Sequence, residues 1–195
     1  MKYWLKIQLP TLFLLAQISL QPLYASERLN TLAIAQGFVG TKEEWGDNRG
    51  YWVNRFLYNV KSKPGNQWCA AFVSFCLDSA NVKTLKTRSA LARNFVRPYS
   101  IKATRVISEN MEIPAGSIII WRRGTTIFGH VGIVKSWKGK QGTTIEGNTS
   151  SGLQGSQDNG DGVWERKRTI NPFNYFRITE FTIYDNTTPT NNTNS

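Results

Sequence analysis

Two cysteines, one histidine and a Glu-Gly-Asn step are the residues of this chain with the most chemistry to offer. Both cysteines lie in "NQWCAAFVSFC", Asn66 to Cys76, seven positions apart. Counted from Cys69, the residues Phe72, Val73, Cys76, Leu77 and Ala80 recur at the spacing of a buried helical stripe. Seven residues of helix rise about 10.5 Å, at about 1.5 Å each, whereas a disulfide needs Cα atoms within about 7 Å. The two thiols therefore cannot bridge each other. Cys76, mid-helix among Val73, Leu77 and Ala80, reads as a small buried hydrophobe. Cys69 falls in the first turn, just after the Pro64-Gly65-Asn66 break, beside unpaired backbone N–H groups and the positive end of the helix dipole. That setting suits a nucleophilic sulfur.

A cysteine nucleophile needs a base that takes the thiol proton and returns it to the leaving group. His130, in "GHVGIV", is the single histidine of the chain, and its side chain has the ordinary range for that work near neutral pH. The base in turn needs an orienting partner. In "TIEGNTS" a period of two puts Thr144 and Glu146 on one face, with Asn148 continuing it unless Gly147 bends the chain. Glu146 or Asn148 is the candidate acceptor for the imidazole N–H. Asn148-Thr149-Ser150 is also formally a glycosylation sequon, and a glycosylated Asn148 would be lost to such a site.

The elements that must bring these residues together change character at Pro114. Before it, Glu27 to Gln36 has helical spacing, with Leu29, Leu32, Ala33 and Gln36 on one side. Tyr51 to Val60 repeats the pattern with Trp52, Phe56 and Val60, the cysteine helix runs to about Ala80, and Ser89 to Phe95 forms one more short helix. After it, Ser117 to Trp121, His130 to Trp137, Thr143 to Glu146, Val163 to Thr169 and Tyr175 to Tyr184 are rich in β-branched and aromatic residues between Gly-rich turns. Helices first and strands later predict an α+β domain with an antiparallel sheet. Trp121, Phe128 and Trp164 are expected in its core, with the wall of a cleft as their alternative place.

Taken in order, "WCAAFVSFC", "PAGSIIIW…GHVGIV" and "IEGNTS…DGVWERKR" resemble the CHAP family, the cysteine, histidine-dependent amidohydrolases/peptidases, and "GTKEEWGDNRGYWVNRFL" is similar to its helical lead-in. The resemblance runs from about Glu27 to Ile178. It implies a papain-like α+β fold, N-terminal helices packed on a C-terminal antiparallel sheet, that cleaves amide bonds in peptidoglycan. By motif match it implies Cys69, His130, Glu146 and Asn148 as the catalytic set. A second histidine, the usual third residue of the related NlpC-type peptidases, is missing here. In the implied acyl transfer the Cys69 backbone N–H helps to bind the oxyanion, and Gln67 adds a side-chain donor. No metal or other cofactor is expected: one histidine and two cysteines that cannot meet make a poor zinc site. The same residues leave three other roles open: a non-catalytic wall-binding module on the fold, a protease, or a secreted antibacterial toxin.

Composition sets the context. A chain of 195 residues, 40% apolar and 12% aromatic, has the payload for one packed domain. The first 25 residues, with Lys2 and Lys6 ahead of an apolar run from Leu9 to Leu20 and a small residue at Ala25, read as a removable export signal cut before Ser26. Pro10 and Gln17 interrupt the run, which is short for a membrane anchor, so no membrane span is expected after cleavage. The catalytic domain is then expected over residues 26–184, with a low-complexity, disordered tail over 185–195. Net charge is +11; without Lys2 and Lys6, 22 basic residues face 13 acidic ones. A basic exported protein is drawn to anionic polymers. Peptidoglycan and anionic wall polymers are the expected partners, and nucleic acid is not, since no basic run carries interleaved aromatics. The expected place is the cell wall, the periplasm or outside the cell, and the expected state is a monomer.

Overall fold

Helices occupy the first half of the chain and strands the second, as the change of pattern after Pro114 predicts. The computed structural model describes residues 26–151 and 160–185. The expected leader over residues 1–25 and the expected tail beyond Asp185 lie outside the described residues.

Three α-helices come first: α1 (Glu27–Gly37), α2 (Tyr51–Asn59) and α3 (Cys69–Ser79). The helix expected over Ser89 to Phe95 is only a 3-10 turn, Ala92–Phe95. A two-residue strand β1 (Ile101–Lys102) and a six-residue helix α4 (Ala103–Ser108) follow, both too short to leave a periodic signal. The remaining strands are β2 (Ile118–Arg123), β3 (Gly129–Lys138), β4 (Gln141–Thr149), β5 (Gly162–Thr169) and β6 (Phe176–Thr182). They form one sheet in the order β1-β6-β2-β3-β4-β5, antiparallel at every pairing. The molecule is α+β, with α1 to α3 on one face of the sheet and α4 near β1 and β6.

Alternation along the strands divides the core in two. Ile118, Ile120, Val131, Ile133, Ile145 and Val163 pack with α1 to α3. Ile119, Trp121, Val134, Trp137, Ile178 and Phe181 form a second cluster with Val106 of α4. Helix α3 is buried almost all round, from Cys69 through Leu77, rather than along one stripe. It ends in a Schellman motif: Asn81 takes the left-handed conformation (φ 53°), the Asn81 N–H donates to the Asp78 carbonyl, and the Val82 N–H to the Leu77 carbonyl.

The buried face of α1 differs from the one its apolar residues predict. Arg28, Thr31, Leu32 and Ala35 point inward, while Leu29 is exposed. The reason lies at the other end of the chain, where Arg28 is ion-paired to Asp185 and the Tyr184 hydroxyl lies 2.9 Å from Thr31 Oγ1. Polar groups with partners take the inward positions. In α2 the fully buried residues are Val53, Phe56 and Leu57; Trp52 stays partly exposed with its ring against Phe56 and Phe38. Among the described residues no helix is long and apolar enough to cross a membrane.

Candidate active site

Cys69 is the first residue of α3. The residue before it, Trp68, takes the N-cap position with no side-chain cap bond, so the first-turn N–H groups are not taken up by a capping side chain. Trp68 itself is firmly held. Its indole N–H donates to Glu43 Oε1 at 2.9 Å, and Phe56 stacks on it at 5.8 Å between centroids. Glu43 is fixed in turn by the Asn48 N–H on Oε2 (2.8 Å) and by its own N–H on the Asp161 carbonyl. The loop between α1 and α2 thus sets the height at which the cysteine leaves the helix.

The sheet supplies the other groups. Trp121 and His130 are register partners on β2 and β3, with their rings edge to face at 5.2 Å. His130 Nε2 lies 2.9 Å from Glu146 Oε2 on β4. The Cys69 side chain interacts with the same imidazole. Cys69, His130 and Glu146 therefore form one connected line across three elements. Cys69 keeps 6% exposure while His130 and Glu146 are buried, so the sulfur is the end of the line nearest solvent.

Two glycines make the line possible. A Cβ on Gly132 would lie 2.7 Å from Glu146 Cγ, so only glycine leaves room for this carboxylate across the β3–β4 pair. A Cβ on Gly147 would lie 2.7 Å from Phe72 Cβ and 2.8 Å from the Trp68 ring, so glycine lets the start of α3 close on β4. Gly132→Ala is expected to cost about 1–3 kcal/mol by overpacking and to push Glu146 away from His130. A lowered urea midpoint together with lowered activity checks this; an unchanged midpoint contradicts it.

Glu146 is the better supplied of the two candidate acceptors. Besides His130 it takes the Arg168 guanidinium in a fork, Nε to Oε1 at 2.8 Å and Nη2 to Oε2 at 2.5 Å, and Thr144 Oγ1 donates to Oε1 at 2.5 Å. Arg168 also lies over the Trp121 ring at 5.8 Å and reaches Thr149 Oγ1 at 3.3 Å. The second candidate, Asn148, is buried at an irregularity of the β4–β5 pairing with a left-handed φ of 54°. Gly147 does interrupt the alternation, and the sequon's asparagine is not presented to solvent. Gln67 is exposed two residues ahead of Cys69. Trp121 is buried as expected, Trp164 is half-buried, and Phe128 is not core at all: it projects from the β2–β3 turn at 58% exposure, next to the strand that carries His130.

Electrostatics follows from this arrangement. Burial by itself would lower the His130 imidazole, but its hydrogen bonds to Cys69 and Glu146, and its attraction to the same two groups, raise it to about 9. Burial by itself would raise the Glu146 carboxyl; the hydrogen bonds from Arg168 and His130 outweigh it and hold the group well below the usual carboxylate range. Among the described residues nothing offsets the burial of Cys76, which pushes its thiol well up.

Stability should vary with pH accordingly. The His130 contribution is fully present below its ordinary value of 6.5, declines above it, and is lost as pH rises through about 9. The Glu146 contribution is present above its ordinary 4.5 and is lost in acid, as pH falls through the depressed folded-state value. Urea midpoints are expected to be highest between these limits, and His130→Gln is expected to flatten the alkaline fall. An identical alkaline fall in the variant would contradict the assigned cause.

Arg168 is the residue that sequence reasoning missed. The available signal was the alternation Arg166-Lys167-Arg168, which puts two guanidinium groups on one face of β5. Which strand that face would meet was not readable.

Residues 61–148 match the CHAP domain family model. Over that segment the chain is similar to the CHAP domain. This agrees with the resemblance of its motifs, and CHAP domains are a group of cysteine- and histidine-dependent amidohydrolases and peptidases. The matched segment opens ahead of α3 and closes at Asn148, so it contains Cys69, His130 and Glu146 but not Arg168. No curated protein and no solved structure matches the chain.

Proposed function

We propose that the protein is an exported peptidoglycan hydrolase that cuts an amide bond through a Cys69 thioester. The observation that carries this reading is the unbroken line from the Cys69 sulfur through His130 to Glu146, seated in the segment similar to the CHAP domain. The sulfur attacks the amide carbonyl carbon, with the thiol proton held on His130. The carbonyl oxygen becomes an oxyanion, which the Cys69 backbone N–H binds with the Gln67 side chain as second donor. As the tetrahedral species collapses, the C–N bond breaks and His130 gives its proton to the leaving amine. Water then attacks the thioester, His130 takes one proton from it, and the carboxylic acid leaves as the thiol is restored. Glu146 holds the imidazole by its Nε2–H and balances its positive charge, and Asn148 supports the turn behind it. The fork from Arg168 keeps Glu146 ionised for that task.

The amide would be the sugar–peptide link or a bond of the peptide stem or cross-bridge. Mass spectrometry of purified wall fragments, digested by the wild type and by Cys69→Ala, tests the reading and identifies the bond. New amine and carboxyl ends are expected in the first digest alone. A wild-type digest with no new ends would overturn it.

A further inference from the structure

The segment that links α3 to β1 encloses a groove of 580 Å³ whose walls carry four cations, Lys86, Arg88, Arg93 and Arg97, together with the polar side chains of Ser89 and Asn94. No carboxylate is among the described residues that line it. The volume lies in the range that holds a small-molecule or short-chain ligand, roughly 300–1,000 Å³.

The groove has a built floor. Arg88 is fixed by an ion pair to Asp78 on α3 and by donating to the carbonyls of Leu85 (2.8 Å), Thr87 (2.9 Å) and Val82 (3.3 Å). Ser89 is pinned to the same helix, its N–H donating to Ser74 Oγ at 2.9 Å and its carbonyl accepting from that hydroxyl at 3.1 Å. Asn94 Nδ2 donates to Ser89 Oγ at 2.9 Å, and Arg93 reaches the Thr126 carbonyl in the β2–β3 turn at 3.4 Å. Lys86 and Arg97 are exposed at the rim.

The segment that carries the groove also packs against the elements that carry Cys69 and His130. Ser74, which anchors it, lies on the helix that begins with Cys69. Ala92, between Ser89 and Arg93, lies 3.7 Å from where a Cβ on Gly129 would sit, and Gly129 precedes His130. The segment that carries the groove thus packs on the helix that begins with Cys69 and beside the residue that precedes His130.

We propose that the Lys86–Arg97 groove is an anion subsite of the enzyme, taking a carboxylate of the peptide whose amide lies at Cys69. The inference rests on the wall-hydrolase reading above. A guanidinium matches a carboxylate in two hydrogen bonds, and Lys86 and Arg97 at the rim with Arg93 beside them are the cations open to it, while Arg88, already paired with Asp78, shapes the floor.

Binding to the full-length Cys69→Ala protein tests this without turnover. Two muropeptides are compared by calorimetry, one with free stem carboxylates and one with the same groups as carboxamides. The free acid is expected to bind about tenfold more tightly, the scale of one charge-assisted contact. In Lys86→Gln/Arg97→Gln that preference is expected to shrink to about twofold or less. A wild-type groove that does not distinguish acid from carboxamide overturns the proposal, as does a double variant that keeps the full preference. A poly(glycerol phosphate) fragment that displaces the muropeptide and binds tenfold more tightly would overturn the carboxylate assignment in favour of a phosphate polymer. Cleavage is scored separately with the wild type. Preference without cleavage leaves the subsite standing and removes the hydrolase reading; cleavage without preference does the reverse.

Discussion

Cys69→Ala should lower the rate of wall-fragment hydrolysis by about ten-thousandfold or more, because in the proposed reaction it removes the nucleophile and with it the covalent route. The fold should survive. The sulfur lies at the edge of the core with 6% exposure, and losing it is expected to cost about 1 kcal/mol of stability or less. The same site gives a chemical version of the experiment. Cys76 is fully buried and its thiol is pushed well up by that burial, so iodoacetamide should mark Cys69 and spare Cys76 in the folded protein. Peptide mapping reads the site of modification, and zymogram clearing reads the activity. Clearing that persists once Cys69 is fully alkylated would leave the fold without its proposed reaction, and a wall-binding role would then be the better account.

Replacing Arg168 is the second experiment with a large expected effect, and its effect falls first on stability. The Glu146 side chain is fully buried and the Arg168 side chain nearly so. Arg168→Met strips the fork from a carboxylate that water cannot reach, and breaking a buried pair from one side typically costs about 3–5 kcal/mol. Glu146 would then move up toward protonation, since burial raises it and its main counterweight is gone. A protonated Glu146 cannot balance an imidazolium, so the acid limb of the kcat–pH profile should shift to higher pH. Arg168→Lys keeps the charge but loses the two-pronged geometry, and should restore much of the stability with a smaller shift of that limb. The pair Arg168→Met/Glu146→Gln should be less destabilised than Arg168→Met alone, because the stranded charge has gone. A simple structural role for Arg168 would lower the urea midpoint and leave the pH profile in place, and that result would dismiss it as a positioning residue.

These two experiments divide what was readable in the chain from what was not. Cys69 was legible because a turn break, an apolar helical repeat and a thiol at its first turn lie within a few adjacent residues. His130 was legible by elimination, being the single histidine. Glu146 and Asn148 were both named, but the choice between them was left open, because alternation along β4 depends on what Gly147 does to it. In the fold Gly147 adjoins Trp68 and Phe72, the strand turns irregular there, and Glu146 is the group seen facing His130. The buried face of α1 was misread because apolar spacing alone cannot know that Asp185 and Tyr184 will supply partners for Arg28 and Thr31. Phe128 was placed in the core on hydrophobicity, yet it sits on a turn with no neighbouring layer to cover it.

The sequence by itself determined the class of the fold, the break that opens the cysteine helix, the inability of Cys69 and Cys76 to bridge, and the thiol and imidazole that the proposed reaction uses. All of these are set by residue type and by spacing within one element, which local geometry fixes before anything packs. Tertiary structure alone decided that Arg168 holds Glu146, that Glu43 anchors Trp68 next to Cys69, and that Lys86, Arg88, Arg93 and Arg97 converge on one groove. Glu146 and Arg168 meet across 22 residues through the register of β4 and β5, Glu43 and Trp68 meet across 25, and the four cations converge only because their segment is pinned to α3, so none of these meetings leaves a periodic trace in the chain.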